Sequence, residues 1–228
     1  MKKRILILAL GLLALTLSGF ATPVGLTDPT QFTAGIIDWC QFGCASAQLP
    51  NPDNWVASNG STGWVGNDGT MQGTYNLQQD NGWNGTFASG MGLIYNGAAF
   101  GNTPTDIVLS FDQAQQGIGA YIQADFYGAF TATVTLYDVN DQVIGSYSAN
   151  GYSQYDPGSA LFIGAYDSMA DVWAASFVAY GIGPYEPDFA IGQAGFYSGT
   201  TTVPEPGSMA LMGSALIGLA ALLRRRRS

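Results

Sequence analysis

Phe130-Thr-Ala-Thr-Val-Thr-Leu-Tyr137 places Phe130, Ala132, Val134 and Leu136 on one face and Thr131, Thr133, Thr135 and Tyr137 on the other. Alternation of period two marks a strand with one face buried and one in water. Asp138-Val-Asn-Asp141 then turns the chain into Gln142 to Ser148, which predicts a hairpin. Outward from that hairpin, Ile107 to Phe111, Gly119 to Phe126, Ala160 to Tyr166, Val172 to Tyr180 and Phe189 to Phe196 read as further strands. Upstream, Leu49 to Gly101 is dense in Gly, Asn and Trp, with short apolar pieces at Thr70 to Leu77 and Met91 to Tyr95. These predict short strands between turns, with no register set by the pattern. About eight to ten short strands and no helical pattern before residue 208 predict an all-β, two-sheet antiparallel β-sandwich.

Charge narrows the function. The seven basic residues are Lys2, Lys3, Arg4 and Arg224 to Arg227, and the chain has no His. All 16 acids lie between the two basic tips, so a net charge of −9 hides a body with no positive side chain. Nucleic acid is excluded as a partner, because phosphate binding needs Lys and Arg to displace counterions. No ion pair can form inside the domain, and the acids repel one another unless they are spread out or bind cations.

Met1-Lys-Lys-Arg4 followed by the apolar run Ile5 to Leu17 has the n-region and h-region of a secretory signal. Gly19-Phe20-Ala21 supplies small residues for cleavage after Ala21, giving a signal peptide over 1–21 and a single domain over 22–200. At the other end, Val203-Pro204-Glu205-Pro206 precedes the apolar run Met209 to Leu223 and then Arg224, Arg225, Arg226 and Arg227. As a helix, Met209 to Leu223 spans about 22 Å, short of the ~30 Å hydrocarbon core. Ser208 lengthens it slightly, so a marginal transmembrane helix is expected over 208–223. The arginines hold the C-terminus in the cytoplasm while the signal peptide sends the body across. Pro204 and Pro206 force an extended, exposed approach to that helix, a form a protease can grip.

Those three elements in that order resemble the PEP-CTERM sorting signal of Gram-negative bacteria, over 201–228. The resemblance implies recognition by an exosortase, a membrane cysteine protease that cuts near Pro-Glu-Pro. It also implies export through the secretion machinery as a precursor anchored transiently in the inner membrane, then a cell-surface or extracellular product linked to exopolysaccharide and biofilm, with extracellular polysaccharide as a further partner. Gly117 to Gly128 through Asp138, Trp83 to Phe87, Gly158 to Gly164 and Asp188 to Ile191 resemble, in patches over roughly 36–197, exported bacterial proteins with the same tail. Those relatives imply a jelly-roll-like sandwich and assign no activity.

Within the body, Cys40 and Cys44 are the only cysteines, and an exported chain with an even count predicts a disulfide. Its loop is small, so it contributes roughly 2 kcal/mol. A soft metal site is disfavoured because no His and no further Cys exist to complete it. A structural calcium is the cofactor that the acid-rich, Gly-rich loops allow; no loop follows the EF-hand spacing, so no ligands are assigned. Acid–base chemistry could come only from carboxylates and tyrosines, with Asp138/Asp141, Asp167/Asp171 and Glu186/Asp188 as local acid pairs. Asp138 and Asp141 are better explained as turn residues, and serine or cysteine nucleophiles lack a His or Lys partner. The expectation is therefore a protein that is not an enzyme, structural or adhesive in the matrix, with an exported glycoside hydrolase a distant alternative. The nearer alternative is a glycan-binding sandwich, calcium-dependent or not, in which flat aromatic rings stack on sugar. Trp55, Trp64 and Trp83, in Gly/Asn-rich stretches, are the candidate glycan contacts, while Trp173 in an apolar strand is assigned to the core.

Overall fold

The hairpin is the longest pairing in the molecule: Gly128–Tyr137 runs antiparallel to Val143–Ser153, from Gly128 opposite Ser153 to Tyr137 opposite Val143. The computed structural model describes residues 23–44, 47–49, 53–67, 74–97, 106–181 and 188–199. The expected signal peptide over 1–21, Val203 to Pro206, the helix expected over 208–223 and Arg224 to Arg227 lie outside the described residues. Met1–Ser198 and Gly199–Ser228 separate as two units, and every described strand belongs to the first.

In chain order the strands begin with β1 (Val24–Leu26), β2 (Ile36–Ile37), β3 (Ala47–Gln48), β4 (Asp53–Val56) and β5 (Thr62–Asn67). They continue with β6 (Thr74–Gln79), β7 (Gly82–Trp83), β8 (Gly92–Asn96), β9 (Ile107–Gln115) and β10 (Gly117–Ala124). The last five are β11 (Gly128–Tyr137), β12 (Val143–Ser153), β13 (Leu161–Tyr166), β14 (Val172–Gly181) and β15 (Phe189–Phe196). Short 3-10 turns at Pro29–Gln31 and Trp39–Phe42 are the helical pieces among the described residues.

Two sheets result. One runs β1-β13-β10-β15-β8-β6-β3, with β2 added to β15 and β7 to β6; the other runs β12-β11-β14-β9-β5-β4. Within them, β8-β15-β10-β13 faces β9-β14-β11-β12, so most successive strands change sheet. That is the connectivity of a jelly roll, the double-sheet arrangement built from two Greek keys. The first sheet is larger than the strand pattern suggests, because four of its members, β1, β2, β3 and β7, have only two or three residues.

Alternation explains the core. Phe130, Ala132, Val134 and Leu136 of β11 face Ile118, Ala120 and Ile122 of β10 and Ile191 of β15 across the sandwich. On the opposite face of the larger sheet, Leu77, Trp83, Phe87, Leu93 and Ala190 make a second, smaller cluster. The 80–90 segment folds back over that face, and buried Gln123 pins it there. Its Oε1 accepts from the Thr86 N–H (2.7 Å), the Thr86 hydroxyl (2.8 Å) and the Trp83 indole (3.2 Å). Its Nε2 donates to Ser153 Oγ at 2.6 Å. The threonine face of β11 is tied across the hairpin by Thr131–Asn150, Thr133–Ser148 and Thr135–Ser146 bonds. At the turn, the Asp138 carboxylate accepts from the backbone N–H groups of Gln142 and Asn140, and Asp141 takes a left-handed φ of 57°.

Candidate functional site

The structure separates the three tryptophans expected at the surface. Trp55 is fully buried, wedged between the rings of Phe111 and Phe196. Trp83 is buried in the second cluster with its N–H on Gln123. Neither indole is open to a ligand, a correction with a simple cause. In β4 the pleat turns Trp55 inward and Val56 outward, and the polar 80–90 segment is itself a lid that packs Trp83 beneath it. Trp64 alone of the three reaches solvent, at 37% exposure. Trp173, expected in the core, is only half-buried, because on β14 it alternates with Val172, which takes the inward position.

Trp64 stands on the outer face of the six-stranded sheet, opposite Asn54 of β4 on one side and Ser110 of β9 on the other. Two residues earlier on the same face, the Thr62 hydroxyl donates to Asp112 Oδ2 at 2.6 Å. A polar cleft of about 160 Å3 adjoins it, lined by Asn59, Ser61, Thr62, Gln113 and Gln115. An indole face beside amides, hydroxyls and a carboxylate is chemistry suited to a sugar: the ring covers C–H groups while the polar atoms exchange hydrogen bonds with hydroxyls.

The acids are arranged differently from their order in the chain. Asp138 and Asp141 form the hairpin turn, and Glu186 lies outside the described residues. Its expected partner Asp188 instead meets Asp125, and the two bracket Tyr95. The phenol lies 2.9 Å from Asp188 Oδ2 and 3.2 Å from Asp125 Oδ2. Burial, then the two carboxylates, raises the Tyr95 pKa, so the ring keeps its proton. Burial is also the main cause that lifts Asp125 above the ordinary carboxylate value, with Asp188 adding to it. Tyr95 lies 30 and 93 residues from these partners, and no local spacing could have announced the group. Asp167 and Asp171, in the loop from β13 to β14, do come together: burial first and Asp171 second push the Asp167 carboxyl up to about 6. Among the described residues no group of three or more Asp, Glu, Cys or His side chains converges on a metal position.

Cys40 and Cys44 form a disulfide that closes the turn after β2. Beside it Trp39 is anchored by its N–H on the Gly192 carbonyl at 2.7 Å, and its own carbonyl accepts from Asn76. The disulfide therefore staples a turn that plugs the side of the larger sheet. No helix among the described residues is long and apolar enough to cross a membrane.

The fold defines the class, an all-β protein with two sheets arranged as a sandwich. The particular route it follows comes from the C-terminus: residues 202–227 match the PEP-CTERM protein-sorting motif, so the chain is an exported substrate of the exosortase sorting system. No curated protein matches the chain by sequence. Among solved structures, it is similar to a DUF4465 family protein from Bacteroides caccae, at 10% identity and TM-score 0.42, over 77% of this chain and 100% of that one. Weaker likenesses are to the enzymatically active domain of bacteriophage CBA120 tailspike protein 4 (8% identity, TM-score 0.26, 67% of this chain and 19% of that one). A third is to the CBM22-1–GH10 modules of a Clostridium thermocellum endo-1,4-beta-D-xylanase complexed with xylohexaose (11% identity, TM-score 0.22, 75% and 28%).

Proposed function

We propose that the domain is a non-enzymatic adhesive module of the extracellular matrix, delivered by the sorting signal and holding polysaccharide through the Trp64 face. The observation that carries this reading is Trp64 itself, a large ring left at the surface among Asn54, Ser110 and the Thr62–Asp112 pair. A neutral or acidic sandwich without Lys, Arg or His must recognise its ligand by stacking and hydrogen bonds, and sugars are recognised in that way. The glycoside hydrolase reading is disfavoured by the Tyr95 group, where the phenol occupies the space between Asp125 and Asp188 that a scissile bond would need.

The test is co-sedimentation of the full-length chain with exopolysaccharide from the native host, together with a glycan-array screen. Wild type is expected to bind, and Trp64→Ala to lose at least tenfold in affinity, the effect of one stacking ring of about 1.4 kcal/mol. Equal binding by the variant, or no binding by wild type to any glycan, overturns the reading.

A further inference from the structure

We infer that the loop between β13 and β14 is a calcium site, with the carboxylates of Asp167 and Asp171 as its protein anions. Asp167 is 2% exposed, and its Oδ1 is buried without a hydrogen-bond partner. Oδ1 of Asp171 is buried and without a partner in the same way. The two side chains face each other closely enough for a direct interaction, and the described chain offers no positive side chain to compensate them. Buried polar atoms in folded proteins are nearly always satisfied, so two donorless carboxylate oxygens on side chains that meet one another call for an occupant, a proton or a cation. A hard divalent cation is the occupant whose ligands are oxygens of this kind, and calcium accepts the irregular shell that a loop presents.

The loop is built to hold such a position. The Asp167 N–H donates to the Gln116 carbonyl at 2.7 Å, fixing its start against the corner where the chain passes from β9 to β10 in the other sheet. The Ala170 N–H returns to the Asp167 carbonyl at 3.3 Å, and Ala170 adopts a left-handed φ of 54° that bends Asp171 back toward Asp167. Backbone N–H groups of Met169 and Ser168 also donate to the Asp167 carboxylate. Two carboxylates supply two to four of the roughly six to eight oxygens calcium takes, and backbone carbonyls and water complete the shell. The competing occupant is a proton shared between the two carboxylates, and it requires no metal. The site uses none of the residues of the Trp64 face, and its test reads calcium rather than glycan, so the two proposals are tested separately.

The experiment is thermal unfolding of the full-length chain at pH 7.5, stripped with chelator and then given 10 mM CaCl2. It is repeated with the Asp167→Asn/Asp171→Asn double variant at matched ionic strength. Extracellular calcium modules bind in the range of roughly 0.1–1 mM, so wild type should gain about 3–10 °C in Tm. The double variant should fold with the same circular dichroism and lose that increment, keeping only the small rise that screening of an acidic body produces in both proteins. A calcium increment equal in wild type and double variant overturns the site, as does a wild-type Tm that calcium leaves unchanged. Isothermal titration adds a readout independent of stability: one calcium per chain is expected in wild type and none in the variant.

Discussion

Tyr95 carries one proton, and two carboxylate oxygens stand within hydrogen-bonding distance of it. The phenol can donate to only one at a time, so the other carboxylate faces a charged neighbour with no donor of its own from that ring. Burial and Asp188 both favour the protonated form of Asp125, and its folded pKa lies above the ordinary value. The folded chain therefore holds this proton more tightly than the unfolded chain. The stabilisation is complete at pH below the ordinary carboxylate value and is lost as pH rises through the raised one. Asp125→Asn keeps an acceptor for Tyr95 and removes the charge. It is expected to raise stability toward neutral pH by less than about 1 kcal/mol, since solvent reaches this carboxylate and screens it. Urea midpoints of wild type and variant, followed from about pH 3 to 7, should converge in acid and separate toward neutrality. Parallel curves would remove the Tyr95 group as a source of pH dependence.

Strand β5 shows how an element is shaped by what it cannot carry. Gly63 lies between Trp55 of β4 and Phe111 of β9, and a Cβ there would meet the backbone carbonyl of Ser110 and the Trp55 ring. Neither can yield, since the carbonyl belongs to the sheet and the indole is packed between two aromatic rings. Gly63→Ala should therefore cost about 2–3 kcal/mol of stability, read as a lower urea midpoint at unchanged m-value; a variant as stable as wild type would show that β4 can lift away from β5. This element also marks where the sequence stops being legible. β11 and its hairpin were readable because one face meets the core and the other meets water, so Phe130 to Tyr137 alternate in type. β15 was readable in extent, since Phe189 to Phe196 is apolar and bounded by turn residues, although the sheet neighbours on either side were not. In β4 and β5 the outward positions are occupied by Val56 and Trp64 and an inward one by Gly63, so the alternation of type disappears although the pleat does not. Gly and Asn around Trp55 and Trp83 suggested exposed loops. The deciding facts were long-range: a lid fastened by Gln123, and a core that extends under β4. Tyr95, Asp125 and Asp188 meet for the same kind of reason, through strand order that local spacing does not encode.

On the scale of the whole molecule, a jelly roll with all its positive charge outside the folded body is a product made for one direction of travel. The 16 acids lie between Lys2-Lys3-Arg4 at one tip and Arg224 to Arg227 at the other, and the sorting motif over 202–227 contains the second tip. Removal of the signal and cleavage near Pro204 to Pro206 would leave a chain without a single basic side chain. Self-repulsion in such a product disfavours association with acidic surfaces and with itself. Such cleavage would confine any role of the tail's arginines to the precursor, where the expected topology puts them at the cytoplasmic face. Intact-mass analysis of the protein recovered from the native host's extracellular fraction should show a C-terminus upstream of Arg224. Replacing Pro204, Glu205 and Pro206 together with Ala should leave full-length chain in the membrane fraction and little outside, while the circular dichroism of the sandwich stays the same. Extracellular protein that retains all four arginines would contradict processing. Release undiminished by the triple substitution would place the cut outside the Pro-Glu-Pro segment and leave the arginine block to be removed by another route.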